Sequence, residues 1–248
     1  MRLQQHSNWL LNTLLPKICR LCQQHSDTDH MLCSFCKDSL VPNSPACIRC
    51  GEYLPTSVMQ GCPYCTPELF AFDACHAPWK YSEGLRYLIH RWKFVKTTNL
   101  TSALADLLLE GLETNPIIDA LVPMPLHWRR TWQRGYNQCA LLAQRASKEL
   151  EIPTHSVLSC TMYQAPQHKA AHRHARHLSS KHFHCEQNLK GLRLALIDDV
   201  ITTGQTAHRA AQCLKTAGAE HVAIWCIAKT PKPGAPCPST ASQFYVMH

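Results

Sequence analysis

Long apolar runs are missing from this sequence of 248 residues. No stretch approaches the roughly 20 apolar residues that are needed to cross a bilayer, so we expect no transmembrane segment. The start, SNWLLNTLLPKIC, is apolar but short, and it has no small-residue cleavage site. We therefore expect it to form a short helix on its own domain and not a signal peptide.

Acidic residues are also scarce, since 17 Asp and Glu stand against 25 Lys and Arg and leave a net charge of +8. This excess favours partners that carry phosphate, such as nucleotides, nucleic acid or phosphosugars, without choosing among them. Charged residues make up 17% of the chain and hydrophobic residues 45%. That composition is typical of a globular protein and excludes a disordered one.

A disulfide framework is not what the cysteines predict. There are 15, an odd number, and eight of them form four C-x-x-C pairs, which is typical of metal sites in a reducing compartment. The pairs are Cys19/Cys22, Cys33/Cys36, Cys47/Cys50 and Cys62/Cys65. Two pairs make one Cys₄ zinc site, so we expect two structural Zn²⁺ ions.

The simplest arrangement of the four C-x-x-C pairs places the first and second pairs in one zinc site and the third and fourth pairs in the other. An interleaved arrangement stays open at the level of the sequence, and redox-active thiols are the alternative to zinc. The other seven cysteines are expected to be small core or surface residues.

Three parts follow one another along the chain. Residues 1–70 hold all the C-x-x-C pairs and are too short on apolar periodicity to build a core alone, residues 71–230 alternate apolar runs with helical patterns, and residues 231–248 are expected to form a loose tail. The elements expected in the middle part are helix 99–113, strand 117–125, helix 137–150, strand 192–200, helix 204–219 and strand 221–230. This alternation predicts an α/β domain with a mostly parallel sheet.

The stretch LALIDDVITTGQTA, residues 194–207, places two carboxylates at the end of an apolar strand. Ligands of parallel α/β sheets bind outside the carboxyl ends of the strands. Ionised Asp198 and Asp199 only accept hydrogen bonds, which suits a sugar diol. The residues that turn into the next helix favour a phosphate, through backbone N–H groups, the helix dipole and hydroxyls. They are Thr202, Thr203, Gly204, Gln205 and Thr206.

The alternative for this stretch is an ordinary strand–turn–helix in which an aspartate caps the helix. The whole string is more specific, because it resembles the phosphoribosyl-pyrophosphate (PRPP) signature of type I phosphoribosyltransferases. By that resemblance, Asp198 and Asp199 are the candidate catalytic pair and hold the ribose 2′ and 3′ hydroxyls, while residues 202–206 wrap the 5′-phosphate. Mg²⁺ would come with the pyrophosphate and keep several waters.

A second strand end, LVPMPLHWRRTWQRGYNQ, supplies candidates for binding the pyrophosphate. Arg129, Arg130 and Arg134 are expected to contact phosphate, on account of their position and charge. Trp128 and Trp132 alternate with these arginines, and two interpretations stand equal: stacking on single-stranded nucleic acid or packing against the domain.

Two further features carry positive charge. Lys93, in IHRWKF, is a candidate phosphate contact, with an exposed helical lysine as the alternative.

Residues 163–184 contain Lys169, Arg173 and Arg176 among six histidines, in spacings that fit no metal template well. We expect a mobile basic loop that covers a phosphorylated ligand; the alternative is a solvated loop without a catalytic part.

The motifs in their order resemble the ComF family, which groups ComFC- and GntX-like proteins. They are the paired zinc knuckles, IHRWKF, VPMPLHWRRTWQRGYNQ, Gln164 and Gln167 in the basic loop, and LIDDVITTGQT. The resemblance runs from about residue 17 to 230. One departure is that Leu178, following Arg176, occupies the position of the asparagine that the family shows ahead of the match to Phe183, so no role of that asparagine is carried over.

What the resemblance implies is a type I phosphoribosyltransferase-like domain behind an N-terminal double zinc ribbon. It also implies a cytoplasmic protein of natural transformation that acts on incoming single-stranded DNA, alongside a ComFA-type helicase or recombination proteins. Two functions follow: a factor that binds PRPP and handles DNA, or an active phosphoribosyltransferase with a base, a nucleotide or DNA as acceptor. An enzyme needs a base-binding hood, for which residues 71–98 are the only candidate, and these residues look unspecialised. We favour the first function and leave catalysis open.

Overall fold

The computed structural model describes residues 17–28, 31–54, 62, 64–66, 68–95, 98–112, 116–126, 132, 134–160 and 183–232. The helices are α1 (Ser34–Asp38), α2 (Glu83–Phe94), α3 (Leu100–Leu109), α4 (Gln138–Leu150) and α5 (Gln205–Thr216). The strands are β1 (Ala74–His76), β2 (Trp79–Lys80), β3 (Ala120–Pro123), β4 (Ser159–Cys160), β5 (Phe183–His184), β6 (Arg193–Ile201) and β7 (His221–Lys229).

The central sheet is parallel and has the order β1–β7–β6–β3, with β2 also paired to β7. In register, Val122 of β3 lies beside Leu196 of β6, which lies beside Ile224 of β7. A parallel sheet covered on both faces needs apolar side chains on both, which is why these strands are continuous apolar runs. The predicted α/β fold with a mostly parallel sheet is confirmed.

Successive side chains of β6 enter two different cores, as strand geometry requires. Leu194 and Leu196 lie in the core covered by α5, while Ala195 and Ile197 lie in the core covered by α2, α3 and α4. All four are fully buried. β6 is thus held between two helical layers. This packing fixes the position of Asp198 and Asp199, which follow Ile197.

The N-terminal cysteine pairs share these cores. Cys19, Cys33 and Cys36 pack in the core beneath α2 and α3, while Cys47 and Cys50 pack in the core beneath α5. The two halves of the N-terminal region therefore pack on different faces of the sheet. This agrees with the expectation that residues 1–70 have too few apolar residues to form a core of their own.

The elements of the sheet are close to their predicted bounds and differ for local reasons. The strand expected at 117–125 is limited to Ala120–Pro123, and it ends there because Pro123 and Pro125 have no N–H to donate to a neighbouring strand. The helix expected at 204–219 ends at Thr216, and Gly218 follows at φ +102°, in the left-handed region that glycine favours.

Residues 71–98, the candidate hood, belong to the main fold. β1 and β2 pair with β7, and α2 buries Leu85, Leu88, Ile89 and Trp92 in the core. Within the described residues of this segment there is accordingly no separate hood. No helix in the described part of the chain has both the length and the apolar character to span a membrane.

Candidate functional site

Asp198 and Asp199 lie near the carboxyl end of β6, between β3 and β7, and the strand ends at Ile201, one residue beyond its predicted end. Pairing with β7 continues at Val200 and Ile201, which explains why β6 ends at Ile201. The backbone N–H of Asp199 donates to Asp198 Oδ1 at 2.8 Å, and the N–H of Val200 donates to Asp199 Oδ1 at 2.7 Å. Each carboxylate is held by backbone and keeps a second oxygen for other partners.

Lys93 forms an ion pair with Asp199 Oδ2. Their side chains are 21% and 13% exposed, so the alternative of an exposed lysine is wrong. Burial alone would lower the pKa of Lys93, but the Asp199 carboxylate outweighs it and the pKa is raised. α2 is anchored at this end, because Trp92 is fully buried and its carbonyl accepts a hydrogen bond from Tyr136 Oη.

Cys139 lies against the other aspartate, with its Sγ 3.6 Å from Asp198 Oδ1. Burial raises the pKa of this thiol well above its usual value, and the charges of Asp198 and Asp199 raise it further. The thiol therefore stays protonated and donates to the carboxylate. The sequence predicts Cys139 only as a small core or surface residue. Its place two residues after Asn137, the cap of α4, was the available indication.

Asp198 is a buried carboxyl group whose pKa is raised by its surroundings. Burial, and next the charge of Asp199, raise the pKa of Asp198 to about 7, although the Asp199 N–H, Lys93 and Cys139 act in the opposite direction. Near neutral pH this group can hold or release a proton without a large free-energy cost. The pair is thus one lysine-bound carboxylate next to one group that titrates near neutrality.

The predicted phosphate loop follows directly. Thr202, Thr203, Gln205 and Thr206 are exposed, and α5 begins at Gln205. Exposed hydroxyls thus stand beside the first turn of α5, whose backbone N–H groups have no acceptor within the helix. One of them, the N–H of Gln205, donates to Thr203 Oγ1 at 3.5 Å.

Gly204 gives this loop its shape. It has φ +78°, and a Cβ added there would lie 3.0 Å from Phe70 Cε1. Phe70 stacks on Phe72 at a centroid distance of 4.7 Å, so the neighbouring ring is itself held in place. Both the backbone angle and the close ring require glycine at this position.

A buried ion pair anchors the start of the loop. Lys229 Nζ donates to the carbonyl of Thr202 at 2.8 Å and lies 3.0 Å from Glu52 Oε2. The two side chains are 5% and 1% exposed. Glu52 follows the third cysteine pair, so this contact joins the zinc-binding region to the phosphate loop. Sequence reasoning missed both residues, since one ends an apolar strand and the other sits in a turn.

The arginine-rich segment is described only in part. Arg134 Nη1 donates to Gln138 Oε1 at 3.1 Å, and its guanidinium lies 5.1 Å from the ring centre of Phe94. Trp132 is exposed, which contradicts the packing alternative for this residue. It borders a cleft of about 770 Å³ that is also lined by Pro125, Asn137 and Ser159. The remaining candidates, Arg129, Arg130, Trp128 and residues 163–182, lie outside the described part of the chain.

The eight paired cysteines form two clusters in the sequential order. One cluster is Cys19, Cys22, Cys33 and Cys36, and the other is Cys47, Cys50, Cys62 and Cys65. In each, the sulfur atoms all lie within 4.8 Å of one another. Contacts of 3.9 Å, 3.8 Å and 3.7 Å join knuckle to knuckle, close to the roughly 3.8 Å edge of a zinc–thiolate tetrahedron. The donor sets therefore fit two Zn²⁺ ions, and the interleaved pairing is wrong.

Comparisons with known proteins agree with this architecture. Residues 10–71 match the double zinc ribbon domain, and residues 137–238 match the phosphoribosyl transferase domain. A purine phosphoribosyltransferase from Pyrococcus horikoshii aligns over 56% of this chain and 73% of its own at 22% identity and a TM-score of 0.32, too low a score to support a conclusion.

The similar proteins cover most of the chain. "DNA utilization protein YhgH" of Escherichia coli O157:H7 is 32% identical over 87% of this chain and 98% of its own. "Competence protein F" of Haemophilus influenzae is 32% identical over 80% of this chain and 90% of its own. "Competence protein ComFC" of Bacillus subtilis is 28% identical over 77% of this chain and 80% of its own. With this identity and coverage, and with a phosphoribosyltransferase domain behind a double zinc ribbon, the chain belongs to the ComF family.

Proposed function

We propose that this ComF-type protein binds PRPP at the end of β6 and handles incoming single-stranded DNA during natural transformation. The observation that carries the first half is the adjacency of the Asp198–Asp199 pair to the exposed hydroxyls and helix N-terminus of residues 202–206. It offers acceptors for a sugar diol and donors for a phosphate on one short segment. Relatives named for competence and DNA utilization support the second half.

Each group has a role in this proposal. Asp198 and Asp199 accept hydrogen bonds from the ribose hydroxyls, and residues 202–206 donate to the 5′-phosphate. Lys93, which pairs with Asp199, is proposed to contact the pyrophosphate when PRPP binds, and Arg134, Arg129 and Arg130 are proposed to contact the same group. Mg²⁺ would come bound to the pyrophosphate oxygens and supply charge neutralisation there.

The DNA half of the proposal draws on the net charge of +8 and on the zinc-bearing N-terminal region. In this account the protein works in the cytoplasm, beside a ComFA-type helicase or recombination proteins. We assign the zinc ions a structural role, since each cluster offers four thiolates and therefore no open coordination position.

An active phosphoribosyltransferase is the second candidate, and one observation favours it. Asp198 has a pKa raised to about 7, so it can exchange a proton with a bound acceptor near neutral pH. The acceptor would be a base, a nucleotide or DNA.

The test that separates the two functions is a ³¹P spectrum of PRPP with Mg²⁺ and the protein, recorded with and without single-stranded DNA. A ligand-binding protein broadens or shifts the PRPP signals without new ones. An enzyme releases pyrophosphate above a protein-free control. Unchanged PRPP signals in both samples would refute the PRPP half of the proposal.

A further inference from the structure

We propose that the exposed rings of α2, together with Trp132, form the stacking surface for the unpaired bases of single-stranded DNA. The surface, called the aromatic face here, consists of Tyr87, Arg91 and Phe94 of α2 and of Trp132 and Arg134. Trp132 precedes Arg134 by two residues, and the guanidinium of Arg134 lies 5.1 Å from the ring centre of Phe94. This inference rests on the proposed DNA-handling function and specifies its site. It locates the contact on the phosphoribosyltransferase domain, not on the zinc ribbon.

The first observation is the exposure of three large rings. Tyr87 is 38% exposed, Phe94 60% and Trp132 85%. Tyr87, Arg91 and Phe94 are four and three residues apart, so they stand in one row on α2. The opposite side of the helix is packed, with Leu88 and Trp92 almost fully buried. One face of α2 is therefore packed in the core. The opposite face presents aromatic rings to solvent, and the packing of the core does not require them.

The second observation is that arginines accompany the rings. Arg91 Nη1 donates to Tyr87 Oη at 2.8 Å, and the guanidinium of Arg134 lies 5.1 Å from the centre of Phe94. His90 adds a ring contact to Phe94 at 4.7 Å. Rings that offer a flat face, with guanidinium groups at their sides, are the combination that binds bases by stacking and the backbone by charge.

The third observation is the place of this surface. Lys93, between Trp92 and Phe94, is paired with Asp199 of the proposed PRPP site. Tyr136 holds the segment after residue 132 against the same end of α2 through the Trp92 carbonyl. A strand stacked on Phe94 would therefore run next to the bound PRPP, which gives DNA and PRPP a shared location on the protein.

The cleft beside Trp132 gives the strand a place for an unstacked base. Its volume is about 770 Å³, and its wall contains Leu126 as well as Asn137 and Ser159. An apolar wall with amide and hydroxyl groups suits a planar heterocycle with polar edges. Positive charge beside the rings favours a nucleic acid over a hydrophobic protein segment as occupant, because a protein partner would have to desolvate the guanidinium groups.

The competing surface is the exposed part of the zinc ribbon, where Phe35 on α1 is 70% exposed. It supplies a matched control, because Phe35 has the same ring type as Phe94, is similarly exposed and lies on a different element. Lys37, its neighbour on α1, is paired with Glu110 at 3.2 Å.

The experiment measures the anisotropy of a fluorescein-labelled oligo(dT) with the full-length zinc-loaded protein. Phe94→Ala and Trp132→Ala are each expected to weaken binding by about tenfold, which corresponds to one lost base stack, while Phe35→Ala leaves it unchanged. Arg91→Gln and Arg134→Gln should each reduce the slope of log affinity against log salt by about 0.7, since each phosphate contact on a single strand contributes that much. Zinc content and the unfolding midpoint of every variant serve as the check of folding.

The outcomes distinguish this inference from the function on which it rests. Wild-type binding that survives both ring substitutions, or that falls only with Phe35→Ala, overturns the aromatic face and leaves DNA handling in place. Absence of binding by the wild type overturns both. Arg134→Gln keeps the test valid if a ring variant fails to fold. If Arg134→Gln weakens DNA binding but leaves the salt slope unchanged, the proposed contact between Arg134 and a DNA phosphate is wrong.

Discussion

Asp198 and Asp199 are neighbours in one strand with opposite electrostatic surroundings. Lys93 compensates Asp199, whereas Asp198 faces a protonated thiol and the negative charge of its neighbour. In the ligand-free protein, Asp198 therefore lowers the free energy of unfolding, whereas Asp199 raises it. A ligand with a diol would add donors to the backbone N–H and the thiol that already reach Asp198 Oδ1.

The two aspartates should give mutational effects of opposite sign on the free energy of unfolding. Asp198→Asn removes the repulsion and stabilises the protein at pH 8. Asp199→Asn leaves Lys93 without its partner and destabilises it by about 1–3 kcal/mol. Denaturant unfolding of both variants tests this, with Glu149→Gln on the exposed face of α4 as the control. Equal effects of the two variants would contradict the assignment of Lys93 to Asp199.

The raised pKa of Asp198 also predicts a pH dependence. In the unfolded chain this carboxyl loses its proton near its ordinary value of about 3.9, and in the folded protein only near 7. Its contribution to stability is therefore lost as pH rises between these values, because the unfolded state releases the proton first. The stability difference between Asp198→Asn and the wild type should grow from pH 6 to pH 8, as measured by denaturant midpoints. A constant difference would place the pKa outside this window.

Sequence reasoning reached the residues of the site that are adjacent in the chain and missed those brought there by folding. The Asp198–Asp199 pair and the loop to Thr206 form a local pattern, so they were predicted. Cys139 meets Asp198 only because α4 starts beside β6, and no local pattern marks such a contact. The same holds for the partners of Lys229.

At the scale of elements, the phosphate loop depends on how β6 joins α5. Gly204 makes the turn at φ +78° under the ring of Phe70. Strand and helix therefore meet at a fixed angle, and this angle positions the hydroxyls of Thr202 and Thr203 before the first turn of α5.

Gly204→Ala separates backbone strain from the contact with Phe70. The control is Gly191→Ala, because Gly191 has a similar φ of +79° and no atom within 4 Å of an added Cβ. Strain at positive φ costs each variant about 1 kcal/mol, and Gly204→Ala should lose more, and also bind PRPP more weakly. Thermal unfolding and calorimetric titration are the measurements. Equal destabilisation with unchanged PRPP affinity would show that the ring contact does not shape the loop.

Element types followed from the sequence better than element ends. Period and apolar runs identified the β6 strand and the α5 helix. The strand predicted at 192–200 agrees with β6 to within one residue at each end, because hydrogen bonding to β7 continues to Ile201. Residues 71–98 were interpreted as a possible hood because short strands such as β2 carry too little periodicity to reveal their sheet partner.

At the scale of the whole molecule, a buried ion pair joins the zinc-binding region to the phosphate loop. The Glu52–Lys229 pair is buried, and Lys229 also holds the carbonyl of Thr202. Glu52 in turn accepts a hydrogen bond from the backbone N–H of Lys232 at 3.1 Å. Movement of the second zinc cluster would therefore reach the start of the phosphate loop.

Glu52→Gln should be far more damaging than Glu110→Gln. The first leaves a buried lysine without a countercharge, which costs about 3–5 kcal/mol. The second removes a half-exposed pair with Lys37, which contributes less than about 1 kcal/mol. Denaturant unfolding with a parallel zinc assay checks this. Similar effects of the two variants would mean that the link between ribbon and loop adds no stability.

The central claim is that PRPP binds at the Asp198–Asp199 pair, and calorimetric titration with PRPP and Mg²⁺ tests it most directly. The wild type should bind, and the double variant Asp198→Asn with Asp199→Asn should lose binding by at least about 100-fold, since two charged hydrogen bonds to the ribose are removed, while it retains two zinc ions and a cooperative unfolding transition. Equal affinity of a folded, zinc-loaded double variant would contradict the claim and require another site for the ligand.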